Sequence, residues 1–159
     1  MKGDVKVIEL LNEALKNELT AVNQYWLHYR LLDNLGIDRL AEFERHESID
    51  EMKHADELAE RILFLDGLPN FQMLGRLRIG ENVEEILKAD LELELEAVAQ
   101  LKGAIAHCEK VHDYASRELF AKILTNEEEH VDTLETQFEM IARMGIQNYV
   151  QLQSKPTES

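Results

Sequence analysis

Apolar residues recur at spacings of three and four along almost the whole chain, and only 7 glycines and 2 prolines interrupt them in 159 residues. That pattern commits the chain to long amphipathic helices. A β-fold of this size needs more turns than so few breakers provide. Asp4 predicts the cap of a first helix that runs to about Leu35 and ends at Gly36. A second helix is expected from about Asp38 to Asp66, stopped by Gly67-Leu68-Pro69-Asn70. Asn82 followed by Glu85 has the form of a capping box and opens a third, ending near His112. A fourth is expected from about Tyr114 to Arg143, ahead of Gly145, and a short fifth from Ile146 to about Leu152. Short links join the first pair and the second pair, whereas 67–82 is long enough to run the length of the bundle. The expected fold is all-α: one four-helix-bundle domain over 1–153, with one long crossover and a short C-terminal helix, then a polar tail at 154–159.

An internal repeat carries the chemistry. Glu18 precedes Glu51 by 33 positions, and His54 follows; Glu94 precedes Glu127 by 33, and His130 follows. The halves are offset by 76, and at that offset Leu11 matches Leu87, Val22 matches Val98 and Leu58 matches Leu134. These polar residues lie on stripes that should be buried, such as Leu11, Leu15, Glu18, Val22, Tyr25 and Phe120, Leu124, Glu127, Val131, Leu134; helix two carries Phe43, Glu47, Glu51, His54, Leu58. A carboxylate in an apolar seam costs several kcal/mol unless it is neutralised, and no Lys or Arg recurs on the stripes. Residues three apart share a helix face, so Glu51 with His54, and Glu127 with His130, can each chelate. Four carboxylates and two imidazoles without thiolate suit a pair of iron or manganese ions better than zinc. Glu109 and His112 form a third Glu-x-x-His pair, but Arg76 stands where the repeat requires a Glu.

Charge and cysteine content narrow the function. Against 17 Lys and Arg stand 32 Asp and Glu, a formal charge of −15, which disfavours nucleic acid and anionic membranes and favours cations. A single cysteine, Cys108, excludes a disulfide framework and a thiolate metal cluster. Met1-Lys2-Gly3-Asp4 runs directly into the amphipathic pattern and no apolar run approaches a bilayer span, so the cytoplasm is the expected location.

The stretch His46-Glu47-Ser48-Ile49-Asp50-Glu51-Met52-Lys53-His54-Ala55-Asp56, with Asn17-Glu18-Leu19, Arg61-Ile62-Leu63-Phe64-Leu65, Gly67-Leu68-Pro69-Asn70 and His112-Asp113-Tyr114, resembles the bacterioferritins, the haem-containing bacterial branch of the ferritins. The likeness covers nearly the whole chain. It implies a ferritin-like bundle that assembles, through dimers, into a homo-oligomeric shell of 24 subunits. Such a shell stores iron as a ferric mineral and oxidises Fe(II) with O2 or H2O2 at a di-iron ferroxidase centre. Carried over by position, Glu18 and His54 hold one iron, Glu94 and His130 the other, and Glu51 and Glu127 bridge them, two iron ions per subunit. Tyr25 matches a tyrosine near such centres, there to bond a ligand or donate an electron, or stands as an ordinary core tyrosine. Met52 reads on its own as a packing residue. The resemblance makes it an axial ligand of haem b, one haem per subunit dimer, with iron released by electrons from a small ferredoxin. His46 and Asp50 resemble an inner-surface iron site, or serve as a cap or ion pair; Asn148 and Gln151 line a fourfold pore or are polar surface. Asp90, Asp50 and Asn126 are candidate partners of the histidines. Thr133 stands where some relatives carry Trp, so that electron route is in doubt. A haem-bearing electron carrier would not need the duplicated ligands, and a di-iron enzyme for an organic substrate would need a pocket that this chain has little material to build.

Overall fold

A computed structural model describes residues 1–155, so 156–159 of the expected polar tail lie outside the described residues. Five helices follow in order: α1 (Val5–Asn34), α2 (Asp38–Phe64), α3 (Val83–Lys110), α4 (Tyr114–Met144) and α5 (Ile146–Gln153). Asp4 accepts from the Val7 amide at 2.9 Å, as its cap position predicts. Asn82 accepts from the Glu85 amide at 2.9 Å while Glu85 receives the Asn82 side-chain N–H at 3.0 Å, a side-chain variant of the reciprocal box. Asp113 caps α4 by accepting from the Ser116 amide.

Two helix ends differ from expectation. α2 stops at Phe64 and α3 at Lys110, each about two residues early, because Asp66 and His112 both adopt φ 62° and turn the chain themselves. Gly67 is needed for contact instead of for backbone freedom: a Cβ there would lie 2.8 Å from Ile8 Cγ2 and 2.9 Å from Ile62 Cγ2.

α1 packs mainly on α2, and α3 on α4, as two antiparallel hairpins. Two apolar cores form. One gathers Leu11 and Leu15 (α1), Leu58 and Ile62 (α2), Leu101 and Ala104 (α3), Phe120 and Ile123 (α4). The other gathers Leu32, Leu40, Leu87, Leu134 and, from α5, Tyr149. Between them in sequence register, on all four long helices, lie the polar residues of the repeat.

The crossover 65–82 lies along α1, tied by side chains that the apolar pattern does not reveal. Asn12, Thr20, Gln24 and His28 accept in turn from the amides of Asn70 (2.8 Å), Gly75 (2.8 Å), Arg78 (3.0 Å) and Gly80 (3.0 Å). Spacings of eight, four and four keep these acceptors on one helix face. A segment without helix or strand thereby finds partners for its N–H groups.

Candidate metal centre

Glu18 from α1, Glu51 and His54 from α2, Glu94 from α3, and Glu127 and His130 from α4 come together inside the bundle, none more than 9% exposed. Their donor atoms form two groups, each with all atoms within 4.8 Å of one another: Glu18, Glu51, His54, Glu127, and Glu51, Glu94, Glu127, His130. Glu51 and Glu127 belong to both. His54 Nδ1 lies 3.5 Å from Glu18 Oε2, 3.6 Å from Glu51 Oε1 and 3.1 Å from Glu127 Oε1. His130 Nδ1 lies 3.3 Å from Glu51 Oε1, 3.5 Å from Glu94 Oε1 and 3.6 Å from Glu127 Oε2. Each imidazole thus turns its Nδ1 toward three carboxylates. Among the described residues no Lys or Arg stands within 4.0 Å of the four glutamates.

These contacts do not amount to hydrogen bonding. Glu18 Oε2, Glu51 Oε1, Glu94 Oε2, both Glu127 oxygens and both histidine Nδ1 atoms lack an aligned partner. Buried polar atoms left in this state are costly and call for an explanation. Removal from water raises the pKa of Glu51 and Glu94 well above the usual carboxylate range, and neighbouring glutamates add to it; Glu18 is raised for the same reasons. Glu127 is the exception. Burial opposes its charge, but contacts with Glu94 and the two histidines outweigh it and hold it below the usual range. Burial likewise opposes charge on His54, yet Glu127 and Glu18 carry its pKa up to about 10; His130 is raised by Glu127, Glu47 and Glu94. Without metal, protons therefore supply the positive charge that the site needs.

Outer contacts flank both rings. The Asn126 amide sits 3.0 Å from His54 Nε2 and leaves Nδ1 facing the carboxylates. Glu47 Oε2 lies 2.8 Å from His130 Nε2, a close contact on the side away from Nδ1 that lacks hydrogen-bond alignment. Asn126 meets the expectation of a histidine partner, and Asp50 stands beside His130 and Glu47 within the same 4.8 Å. Asp90 does not: its Oδ1 lies 2.9 Å from His28 Nδ1, one turn further along the bundle, so it serves neither candidate ligand. Glu47 was the missing residue, although its place one turn before Glu51 put it on the same stripe. Tyr25 is wholly buried, and its hydroxyl donates to Glu94 Oε1 at 2.7 Å. A cleft of about 210 Å³ opens onto His54 and His130 and is lined by Asp50, Lys53, Glu57, Asn126 and Glu129.

Residues 8–144 match the family described as Ferritin-like domain. The chain is 53% identical over 158 residues to the bacterioferritin of Brucella melitensis, covering 99% of this chain and 98% of that protein. It is 48% identical to that of Mycolicibacterium paratuberculosis (98% and 99% covered) and 47% to that of Rhodobacter capsulatus (100% and 99%). The chain belongs to the bacterioferritin family. Among the described residues of this bacterioferritin-family chain, no helix is long and apolar enough to cross a membrane. Met52 projects from α2 away from the carboxylates and is 43% exposed. Ile49 precedes it by three positions on α2, and Ala59 and the exposed Leu63 follow by seven and eleven, with the exposed Asp56 between Met52 and Ala59. His46 is exposed and joins no buried donor group, and Asn148 spends its amide on the Met144 carbonyl of its own turn.

Proposed function

We propose that this chain is the subunit of an iron store and oxidises its Fe(II) substrate inside the bundle. Iron storage is the broad reading that membership of the bacterioferritin family supports. The observation that carries the finer reading is two four-donor groups sharing Glu51 and Glu127, with their inward oxygens and Nδ1 atoms unpartnered. Glu18 and His54 bind one Fe(II), Glu94 and His130 the other, and Glu51 and Glu127 bridge. The donor chemistry fits: hard carboxylates with one imidazole per metal tolerate both Fe(II) and Fe(III). The overall reaction is 4 Fe(II) + O2 + 4 H⁺ → 4 Fe(III) + 2 H2O, with H2O2 as the other oxidant in reach.

Each protein group has a stated task. The two histidines and the glutamates other than Glu127 give up their protons as cations enter, so the same groups are compensated in both states. Asn126 and Glu47 stand beside Nε2 of the two rings, leaving Nδ1 aimed inward. Tyr25 holds Glu94 through its hydroxyl, donated from α1 to α3. The cleft beside Asp50 and Glu129 draws cations toward the histidines. The shell of 24 subunits, a cytoplasmic location and ferredoxin-driven release belong to the same reading and rest on the family resemblance. So does haem b. Met52 suits that group because it offers a soft, exposed thioether, and a second copy of the chain would supply the other sulfur; bound haem would add one-electron transfer.

Stopped-flow mixing of anaerobically loaded protein with oxygen tests the proposal. Oxidation should be fast up to about two Fe(II) per subunit and slower beyond, and Glu127→Ala or His130→Ala should remove the fast phase. An unchanged fast phase in both variants refutes the site.

A further inference from the structure

A second buried polar cluster lies next to the first, and its counterpart in the other half of the bundle is apolar. Glu44 from α2, Asp90 from α3, and His28 and Gln24 from α1 are all completely buried. Shifting each by the 76-residue repeat gives the equivalent place in the other half of the bundle. There Glu44 becomes Phe120, Asp90 becomes Ala14, His28 becomes Ala104 and the adjacent Tyr25 becomes Leu101, every one buried in an apolar core. The same architecture fills one copy of this volume with hydrocarbon and the other with acids.

The hydrogen bonds determine where the protons are. The Gly80 amide donates to His28 Nε2 at 3.0 Å, so a neutral ring carries its proton on Nδ1 and donates to Asp90 Oδ1 at 2.9 Å. Both nitrogens are then engaged and neither is free for a metal. Asp90 Oδ1 also accepts from Gln24 Nε2 at 3.0 Å, so this oxygen has two donors. Asp90 Oδ2 and both oxygens of Glu44 are left without a partner, although donor atoms of Glu44, Asp90 and His28 all lie within 4.8 Å of one another. Ionising both carboxyls in such a place is costly, and one proton between them satisfies an oxygen on each. Burial and the Asp90 charge push Glu44 well up, and the other groups acting on it from α2 and α3 are Glu47 and Glu94. From α1 it faces Tyr25, and from α5 Tyr149; both phenols are themselves pushed up, by burial first and by Glu44 among the acids.

We propose that Glu44 and Asp90 hold one proton between them as a buried store that supplies the neighbouring iron-oxidising site. This rests on the proposed oxidation of Fe(II). Asp90 and Glu94 are one turn apart on α3, and Tyr25, one turn from His28 on α1, closes onto Glu94. Each O2 takes four electrons from four Fe(II) and four protons. The Glu44 O–H bond breaks as one O–H bond of product water forms, and the carboxylate left behind regains a proton from solvent between turnovers.

Glu44→Gln keeps the shape and an N–H for Asp90 but carries no transferable proton. The infrared difference between wild-type and Glu44→Gln protein, both metal-free at neutral pH, should show the carbonyl stretch of one protonated carboxyl. A carboxylate signal in its place overturns the proposal. With Fe(II), the variant should still bind two ions per subunit but oxidise them about tenfold or more slowly, the scale of a lost general acid. An unchanged rate overturns the supply role. Titration with Co(II) alone distinguishes a metal site: a third ion per subunit that Glu44→Gln loses also overturns it. Should wild-type protein bind no Fe(II), the iron-oxidising reading and the supply role fall together, while the infrared result still decides whether the shared proton exists.

Discussion

Loading the carboxylate cluster with Fe(II) should expel protons from the histidines and the raised glutamates. In the metal-free state His54 and His130 are protonated at neutral pH, because Glu127 and its neighbours outweigh the burial that opposes their charge. Glu51 and Glu94, raised well above the usual range by burial and by neighbouring glutamates, favour their protonated forms. Two bound metals need both imidazoles neutral and all four carboxylates ionised. About four protons should therefore leave per subunit, and a fraction more from Glu18, whose pKa is raised less. The sign is clear: acid opposes binding. At about 1.4 kcal/mol per proton per pH unit, lowering the pH by one unit should weaken the two-ion binding free energy by about 5.5 kcal/mol. Anaerobic titration of weakly buffered protein in a pH-stat, before any oxygen is admitted, counts the protons directly. Release of one proton or none per pair of Fe(II) would refute the charge assignment.

Three further outcomes follow from single contacts. Tyr25→Phe removes the donor to Glu94 Oε1 and should lower metal-free stability in urea by about 1–3 kcal/mol while leaving two Fe(II) per subunit; an unchanged midpoint would show that the bond contributes nothing. Met52→Leu should abolish a bis-methionine haem spectrum without slowing iron oxidation, and a retained spectrum would reject that sulfur as a ligand. A Cβ at Gly80 would meet backbone atoms of Ile86 at 2.3 Å and Glu85 at 2.5 Å, whereas one at Gly103 meets nothing within 4 Å. Gly80→Ala should therefore cost more than about 3 kcal/mol and Gly103→Ala should gain up to about 1 kcal/mol, as read by thermal melts; similar effects at the two positions would contradict the packing.

The parts legible in the sequence were those written twice. Glu18, Glu51, His54 and their counterparts 76 residues later stand out because each interrupts an apolar stripe at a repeated depth. The bundle and its crossover were readable from the same periodicity. The cluster of His28, Glu44 and Asp90 was hidden because its symmetry mates are Ala104, Phe120 and Ala14, so no repeat marks it. Asp90, a candidate partner of the two ligand histidines, bonds His28 instead. Asn12, Thr20, Gln24 and His28 serve backbone amides of a segment with no period, and such partners emerge only once the crossover is laid on α1. The early ends of α2 and α3 escaped notice because Asp66 and His112, not glycines, adopt the left-handed turn.

Anomalous diffraction at the iron edge, from crystals soaked anaerobically in Fe(II), tests the central claim most directly. Two peaks should appear inside each bundle, about 3.5–4 Å apart, with Glu51 and Glu127 reaching both. A bundle interior without iron, or these six side chains turned out toward solvent, would contradict it.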